Sequence, residues 1–134
     1  MPGYLLPALP ALLLTACAAT GAPSCAPHEE RAVSDLMYFG TAKPGGIVTS
    51  QEWSEFLRSS VTPRFPRGLT VWPASGQWLG ADGTLTQESS FVLSLLHCGD
   101  ARDEAALRAI ADEYKALFSQ EAVLRVRSQV CTSF

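Results

Sequence analysis

The sequence predicts an α+β fold of the ferredoxin-like split βαβ type, with a four-stranded antiparallel sheet and two helices on one of its faces. Three observations lead there. Two stretches, after Thr49 and after Asp100, carry apolar residues at helical spacing. Four shorter stretches, at residues 36–39, 69–78, 85–96 and 122–130, are apolar and rich in β-branched or aromatic side chains. Their order along the chain is β-α-β-β-α-β.

Each element has its own signal. Leu36, Met37, Tyr38 and Phe39 form a compact apolar run closed by Gly40, the first strand. Lys43-Pro44-Gly45-Gly46 is a loop by composition. Thr49 and Glu52 fit a capping box, and Trp53, Phe56, Leu57 and Val61 then recur on one helical face. Pro63 ends this helix, because the residue before a proline is pushed out of the α region. Leu69-Thr70-Val71-Trp72 opens the second strand, and Pro73, which cannot donate to a ladder, marks an edge or a bulge. Asp82-Gly83 suits a type I′ hairpin turn. The run from Phe91 to Leu96 is apolar on both alternating sets, as in a central strand. Asp100 is an N-cap, and Leu107, Ile110, Ala111, Tyr114, Leu117 and Phe118 make the second helical stripe. Its outer face carries Glu104 with Arg108 and Asp112 with Lys115, a solvated surface. In the last strand Leu124 and Val126 point one way and Arg125 and Arg127 the other.

The chain has 134 residues and a net charge of −3, which fits one domain and argues against a nucleic-acid partner. Residues 1–16 are apolar and free of acids, with Leu12-Leu13-Leu14 as the dense segment of a signal peptide. No Lys or Arg precedes that segment, and Pro2, Pro7 and Pro10 interrupt it, which fits a start codon misplaced downstream of a basic stretch. Leu14-Thr15-Ala16-Cys17 resembles the lipobox of bacterial lipoproteins, in which the cysteine is acylated and becomes the new N-terminus. By that resemblance Cys17 bears the lipid and the protein is held in the cell envelope, facing the periplasm. Ala18 stands where an Asp would signal the inner membrane, which favours the outer one. The other reading is plain cleavage near Ala16 to Ala19, releasing a soluble protein. Residues 17–33 read as a tether and residues 34–134 as the domain. His28 beside Glu29 and Glu30 reads as a solvated histidine rather than a metal ligand.

Besides Cys17 there are Cys25, Cys98 and Cys131. In the predicted topology the last strand lies beside the first, so Cys131 falls near the chain that leads into the first strand. We therefore expect a Cys25–Cys131 disulfide and a free thiol at Cys98, with a Cys98–Cys131 bond as the alternative. No spacing of cysteines and histidines suggests a metal, and no cofactor motif is present.

With both helices on one face, the other face is left open. Either Leu36 and Tyr38 or Met37 and Phe39 lie on it, together with one alternating set between Phe91 and Leu96. Such a patch marks an interface or a ligand site. A homodimer through the open sheet face and a small-molecule pocket are the two readings.

Met37-Tyr38-Phe39-Gly40, Glu52-Trp53, Phe56-Leu57, the run from Val61 to Pro66, Gly68-Leu69-Thr70-Val71 and Gly76-Gln77-Trp78 resemble a family of exported bacterial proteins known only as a domain of unknown function (domain of unknown function 3574). Glu88, Tyr114-Lys115, Gln120-Glu121 and Val123-Leu124 continue the resemblance to Cys131 and Phe134. Members are described as lipoproteins, which agrees with the leader. The resemblance implies no reaction and no cofactor. The chain departs from the pattern at Ser89-Ser90-Phe91, where a Pro or Lys is expected nearby.

The candidate ligand-binding residues are Arg64, Gln77, Trp78, Glu88 and Tyr114. Arg64 has the donor fork to clamp an anion; otherwise it binds the carbonyls that end the first helix, or pairs with Glu88 or Glu121. Gln77 and Trp78 form a recognition surface, or Trp78 packs across the hairpin. His97 and Cys98 are strand neighbours that point to opposite faces, so they do not make a nucleophile and base. The sequence fits a lipid-anchored, non-catalytic module that binds itself, another envelope protein or a small ligand. The alternative is a small enzyme of ferredoxin-like dimeric type, with a pocket near Arg64, Glu88 and Tyr114. Replacing Cys17 by Ser is expected to move the protein from the membrane to the soluble fraction. Mass spectrometry of the mature N-terminus checks this, and an unacylated wild-type chain would refute it.

Overall fold

The protein is described by a computed structural model over residues 24–134; the leader, Cys17 and the start of the tether lie outside the described residues. The first strand, β1, Glu30–Gly40, alternates sharply. Val33, Asp35, Met37 and Phe39 are buried, while Ala32, Ser34, Leu36, Tyr38 and Gly40 on the other face are half-buried. The strand begins six residues before the expected Leu36, because β6, Leu124–Thr132, pairs with it as far back as Glu30.

After β1 the chain makes a small ribbon, β2 Ala42–Lys43 against β3 Gly46–Ile47, where composition suggested only a loop. The helix α1, Ser50–Phe56, starts with the expected capping box between Thr49 and Glu52. It continues into a π-helical turn, Leu57–Val61, in which the Thr62 N–H reaches the Leu57 carbonyl at 2.8 Å. The wider turn brings Phe56 and Val61, five residues apart, onto one buried face before Pro63 stops the coil. Next come β4, Thr70–Leu79, and β5, Leu85–His97, as a long hairpin.

The hairpin turn differs from the expected two-residue type. Gly83 has φ +78°, but Asp82 keeps a negative φ, so a type I′ turn is not formed. The Gly80 N–H bonds the Thr84 carbonyl and the Gly83 N–H bonds the Gly80 carbonyl, which makes a three-residue loop with glycine in the left-handed position. The Asp82 carboxylate accepts the Thr84 N–H at 2.9 Å and thereby holds the loop in this form. The helix α2, Ala101–Phe118, starts at the expected cap, Asp100, and ends at Ser119 in the left-handed region.

The sheet order is β4-β5-β1-β6, antiparallel throughout, with β4 at an edge as Pro73 implied. The order and the helix placement are those of the ferredoxin-like fold. The core lies between the sheet and the helices and is dominated by rings. Phe39 packs on Tyr114 at 4.7 Å and on Trp53 at 5.1 Å, Trp53 stacks on Phe91 at 4.8 Å, and Phe118 closes on Tyr114 at 4.7 Å. Cys25 and Cys131 are joined, Cα to Cα 5.4 Å, and Cys98 is a free, exposed thiol.

The disulfide closes a loop with a sequence separation of 106. Replacing Cys131 by Ser is expected to cost about 2–5 kcal/mol of unfolding free energy. Urea unfolding checks this, and an equal midpoint with and without reductant would contradict it.

Candidate functional site

The open face carries a cleft of about 180 Å³ at the Gly40 end of the sheet. Its floor is Gly40, opposite Ser90 of β5. A side chain at Gly40 would meet the Glu88 Oε1 at 2.6 Å and the Gln120 Oε1 at 3.0 Å, so glycine is what lets these two groups converge there. Trp78, Tyr38 and Leu124 supply apolar walls. The Glu88 carboxylate is half-buried and held by one oxygen, Oε2, which accepts the Ala42 N–H at 3.0 Å. Its other oxygen has no donor among the described residues. Gln120 is anchored by its amide to the carbonyls of Ala42 and Phe118.

The predicted ligand residues divide between this cleft and other places. Trp78 and Glu88 share the open face, and Gln77 reaches the rim, although alternation pairs its side chain with Gln87 on the opposite face. Trp78 is exposed and stands opposite Thr86. Tyr114 lies beneath the sheet, fully buried, with its hydroxyl donating to the Gly40 carbonyl at 2.8 Å. Burial pushes its pKa up, and the Glu88 and Glu52 charges add to that. Arg64 sits far from Glu88, at the end of the π-helical turn. It donates to the Ser60 carbonyl at 2.7 Å and pairs with Glu113 rather than with Glu88 or Glu121. The Ser60 hydroxyl and then Arg64 hold the Glu113 carboxyl below its usual range. The structure therefore does not gather Arg64, Glu88 and Tyr114 into one pocket. His28 is exposed, in a turn before β1. The one group of potential metal ligands among the described residues, Cys25, Glu29 and Cys131, has both sulfurs in the disulfide.

A second polar cluster, on the helix side, escaped the sequence reading. His97 is 5% exposed, and its Nε2 lies 2.6 Å from the Asp35 carboxylate, which has no exposure at all. Its Nδ1 lies 3.2 Å from the Asp103 carboxylate, and the Gly99 N–H points between them, 3.0 Å from Nδ1 and 3.1 Å from the carboxylate oxygen. Arg125 grips Asp35 through Nε at 2.6 Å and Nη2 at 2.9 Å, and reaches Glu104 at 2.6 Å; Arg127 also binds Glu104, at 3.0 Å. The cluster ties β1, β5, α2 and β6 together. Burial raises the Asp35 pKa, but the bonds from Arg125 and His97 outweigh it and hold the carboxyl below the usual range. Arg125 likewise holds Glu104 down. The signal available in the sequence was an acid in the otherwise apolar set Val33, Asp35, Met37 and Phe39. Such an acid has to meet a partner inside.

Fold and site together define a ferredoxin-like α+β domain tied by a disulfide, with an apolar-walled cleft holding one carboxylate on the sheet face that no other described element covers. Residues 34–134 match the family described as "Protein of unknown function (DUF3574)", and the chain belongs to that family. The fold is also that of a phage SAM lyase in complex with S-methyl-5′-thioadenosine, which is 12% identical, with 84% of this chain and 95% of that chain covered and a TM-score of 0.59. A phage SAM lyase in its apo state aligns over 76% of this chain and 89% of that one, at 14% identity and a TM-score of 0.54. At these identities the likeness is one of fold. No curated protein matches the chain.

Removing one member of a buried ion pair costs about 3–5 kcal/mol, and Asp35→Asn is expected to destabilise the protein by that order at pH 7. Because the folded pKa of Asp35 is depressed, its contribution is complete above the ordinary value of 3.8 and is lost as pH falls through the folded value. Urea unfolding from pH 7 to pH 2 should therefore show a shallower acid loss in the variant. A variant as stable as the wild type would contradict the arrangement.

Proposed function

We propose that the protein is an exported, lipid-anchored domain that binds a small molecule in the Glu88 cleft, in the manner of a small ferredoxin-like enzyme. The observation that carries this reading is the convergence of Trp78, Glu88 and Gln120 over Gly40. Trp78 and Tyr38 bring aromatic rings to the cleft wall, a chemistry suited to a flat or cationic group. Glu88, pinned by one oxygen, keeps the other for a ligand hydroxyl or amine, or for taking a proton. Gln120 offers its carbonyl oxygen beside it. The residues that carry the family resemblance and meet in the cleft, Gly40, Gly76, Trp78, Glu88, Gln120 and Glu121, support the same place.

The fold shared with a phage SAM lyase supports a ligand that joins a flat ring to hydroxyl or charged groups, and S-methyl-5′-thioadenosine is the probe of that class. The disulfide and the acylation signal support a site outside the cytoplasm. A purely binding module and an enzyme would use the same cleft. Turnover of the bound ligand by the wild type, lost in Glu88→Gln even at saturating ligand, marks the enzyme; binding without turnover marks the module.

Titration calorimetry with S-methyl-5′-thioadenosine and with adenosine tests the reading. Saturable binding is expected, weakened at least tenfold by Trp78→Ala, by Glu88→Gln and by Gly40→Ala, and unchanged by Arg58→Gln. Binding indifferent to the three cleft variants, or no binding of either nucleoside at millimolar concentration, would overturn it.

A further inference from the structure

We infer that a second copy of this chain packs on the open sheet face and closes the Glu88 cleft from above. The pairing rests on the face itself; only the closing of the cleft rests on the ligand reading. The register sets the face out row by row. One row crosses all four strands as Trp72, Val92, Tyr38 and Leu124, and the next as Thr70, Ser94, Leu36 and Val126. Beyond them Ser34 stands between Leu96 and Ser128. Trp72, Leu96, Leu124 and Val126 are each 40–51% exposed.

The face is also nearly without charge. On its set of positions, residues 70–78 of β4, 86–96 of β5, 32–40 of β1 and 124–130 of β6 include one charged side chain, Glu88, and that one lies in the cleft. The opposite side of β6 carries Arg125 and Arg127 within a few ångströms of chain. Loss of charge from the centre of an exposed surface, with aromatic residues kept, is the composition of an interface core.

The size agrees. The strands run 9 to 13 residues. Four strands about 4.8 Å apart and about 33 Å long make roughly 600 Å² of flat sheet before side-chain relief. A standard interface takes about 800 Å² from each partner. A second copy presents the same neutral face, so the centre of the contact brings no like charges together and leaves no charge there without a partner. A face packed on its own copy about a two-fold axis closes the assembly at two.

The patch and the cleft are continuous, because Tyr38 and Leu124 belong to both. The cleft alone, about 180 Å³, is smaller than the roughly 300–1,000 Å³ of a typical ligand pocket. A copy seated on the patch supplies the missing wall, so ligand and partner bind cooperatively, each strengthening the other by the same factor.

The test uses the mature chain with Cys17→Ser to keep it out of membranes. Sedimentation equilibrium at about 10–100 µM, well above a dissociation constant of about 1 µM or tighter, is expected to give close to twice the monomer mass. Trp72→Arg with Val126→Arg, neither in the cleft, should give a monomer with unchanged circular dichroism and an intact disulfide, and should weaken S-methyl-5′-thioadenosine binding at least tenfold. A wild-type monomer overturns the pairing and leaves the Glu88 reading standing. A dimer that survives the double variant, as one built through the β6 edge would, also overturns it. A monomeric variant that binds the nucleoside as tightly as the wild type overturns the closing of the cleft. If neither form binds the nucleoside, the ligand reading fails while the dimer mass still decides the pairing.

Discussion

The two-residue period of β1 is the constraint from which the rest of the structure follows. Successive side chains on a strand go to opposite faces, and β1 lies inside the sheet with a partner on each side. Its odd-numbered set is therefore committed to the helices. Phe39 and Met37 anchor the ring cluster, and Asp35 is carried into the core with them. Its even-numbered set is committed to the uncovered face, where Leu36 and Tyr38 make the apolar rows and Gly40 makes the floor of the cleft. A shift of register by one residue would exchange the sets, burying a glycine and exposing Phe39. The pairing with β6 through nine successive residues, together with the disulfide just outside it, opposes such a slip.

Asp35 shows how that constraint is met on the buried side. A carboxylate without solvent is costly unless its lone pairs are filled. Arg125 takes both of its oxygens and His97 shares one. Arg125 is also held by Glu104, which Arg127 binds as well. Asp35, His97, Arg125 and Glu104 are thus each held by more than one partner, and no buried side-chain nitrogen or oxygen among the described residues is left without a bond. Glu104 read as part of a solvated outer face, and it acts here together with Asp103 in the first turn of α2. Their larger role is to bring α2 onto β5 and β6, and the predicted Glu104–Arg108 pair is only a loose contact at 4.0 Å.

What was legible in the sequence was whatever local chemistry decides. Thr49 and Glu52 sit three residues apart and form the capping box; Pro73 marked an edge or a bulge and stands on the edge strand β4; Asp100 caps the helix that follows it. The strand order was legible too, since four strands and two one-sided helices leave few arrangements, and the Cys25–Cys131 bond follows from that order. Long-range pairings were not. Nothing in the neighbourhood of Arg64 marks Glu113, 49 residues on, as its partner, and nothing near Asp35 marks Arg125, 90 residues on. The beginning of β1 at Glu30 was hidden because a segment rich in charge becomes a strand only through its partner β6. Of the candidate site, Trp78 and Glu88 were legible as strand residues near a hairpin. Gly40 and Gln120 were not, because their importance lies in a crossing of chain segments far apart in sequence.

Tyr114 links the two faces. It was expected near a ligand, and it is instead the centre of the ring cluster, touching Phe39, Phe56 and Phe118. Yet its hydroxyl reaches the sheet and donates to the Gly40 carbonyl. Burial raises its pKa, and the Glu88 and Glu52 charges raise it further, so the phenol stays protonated and remains a donor. The position of Gly40 is therefore set from below by a side chain locked in the core. Glu88 rests on that glycine from above, and its second oxygen is fixed by the backbone of Ala42, two residues further along. The carboxylate of the cleft thus takes its position from packed rings rather than from the mobility of a loop, which is the condition for a polar group to be aimed at a ligand.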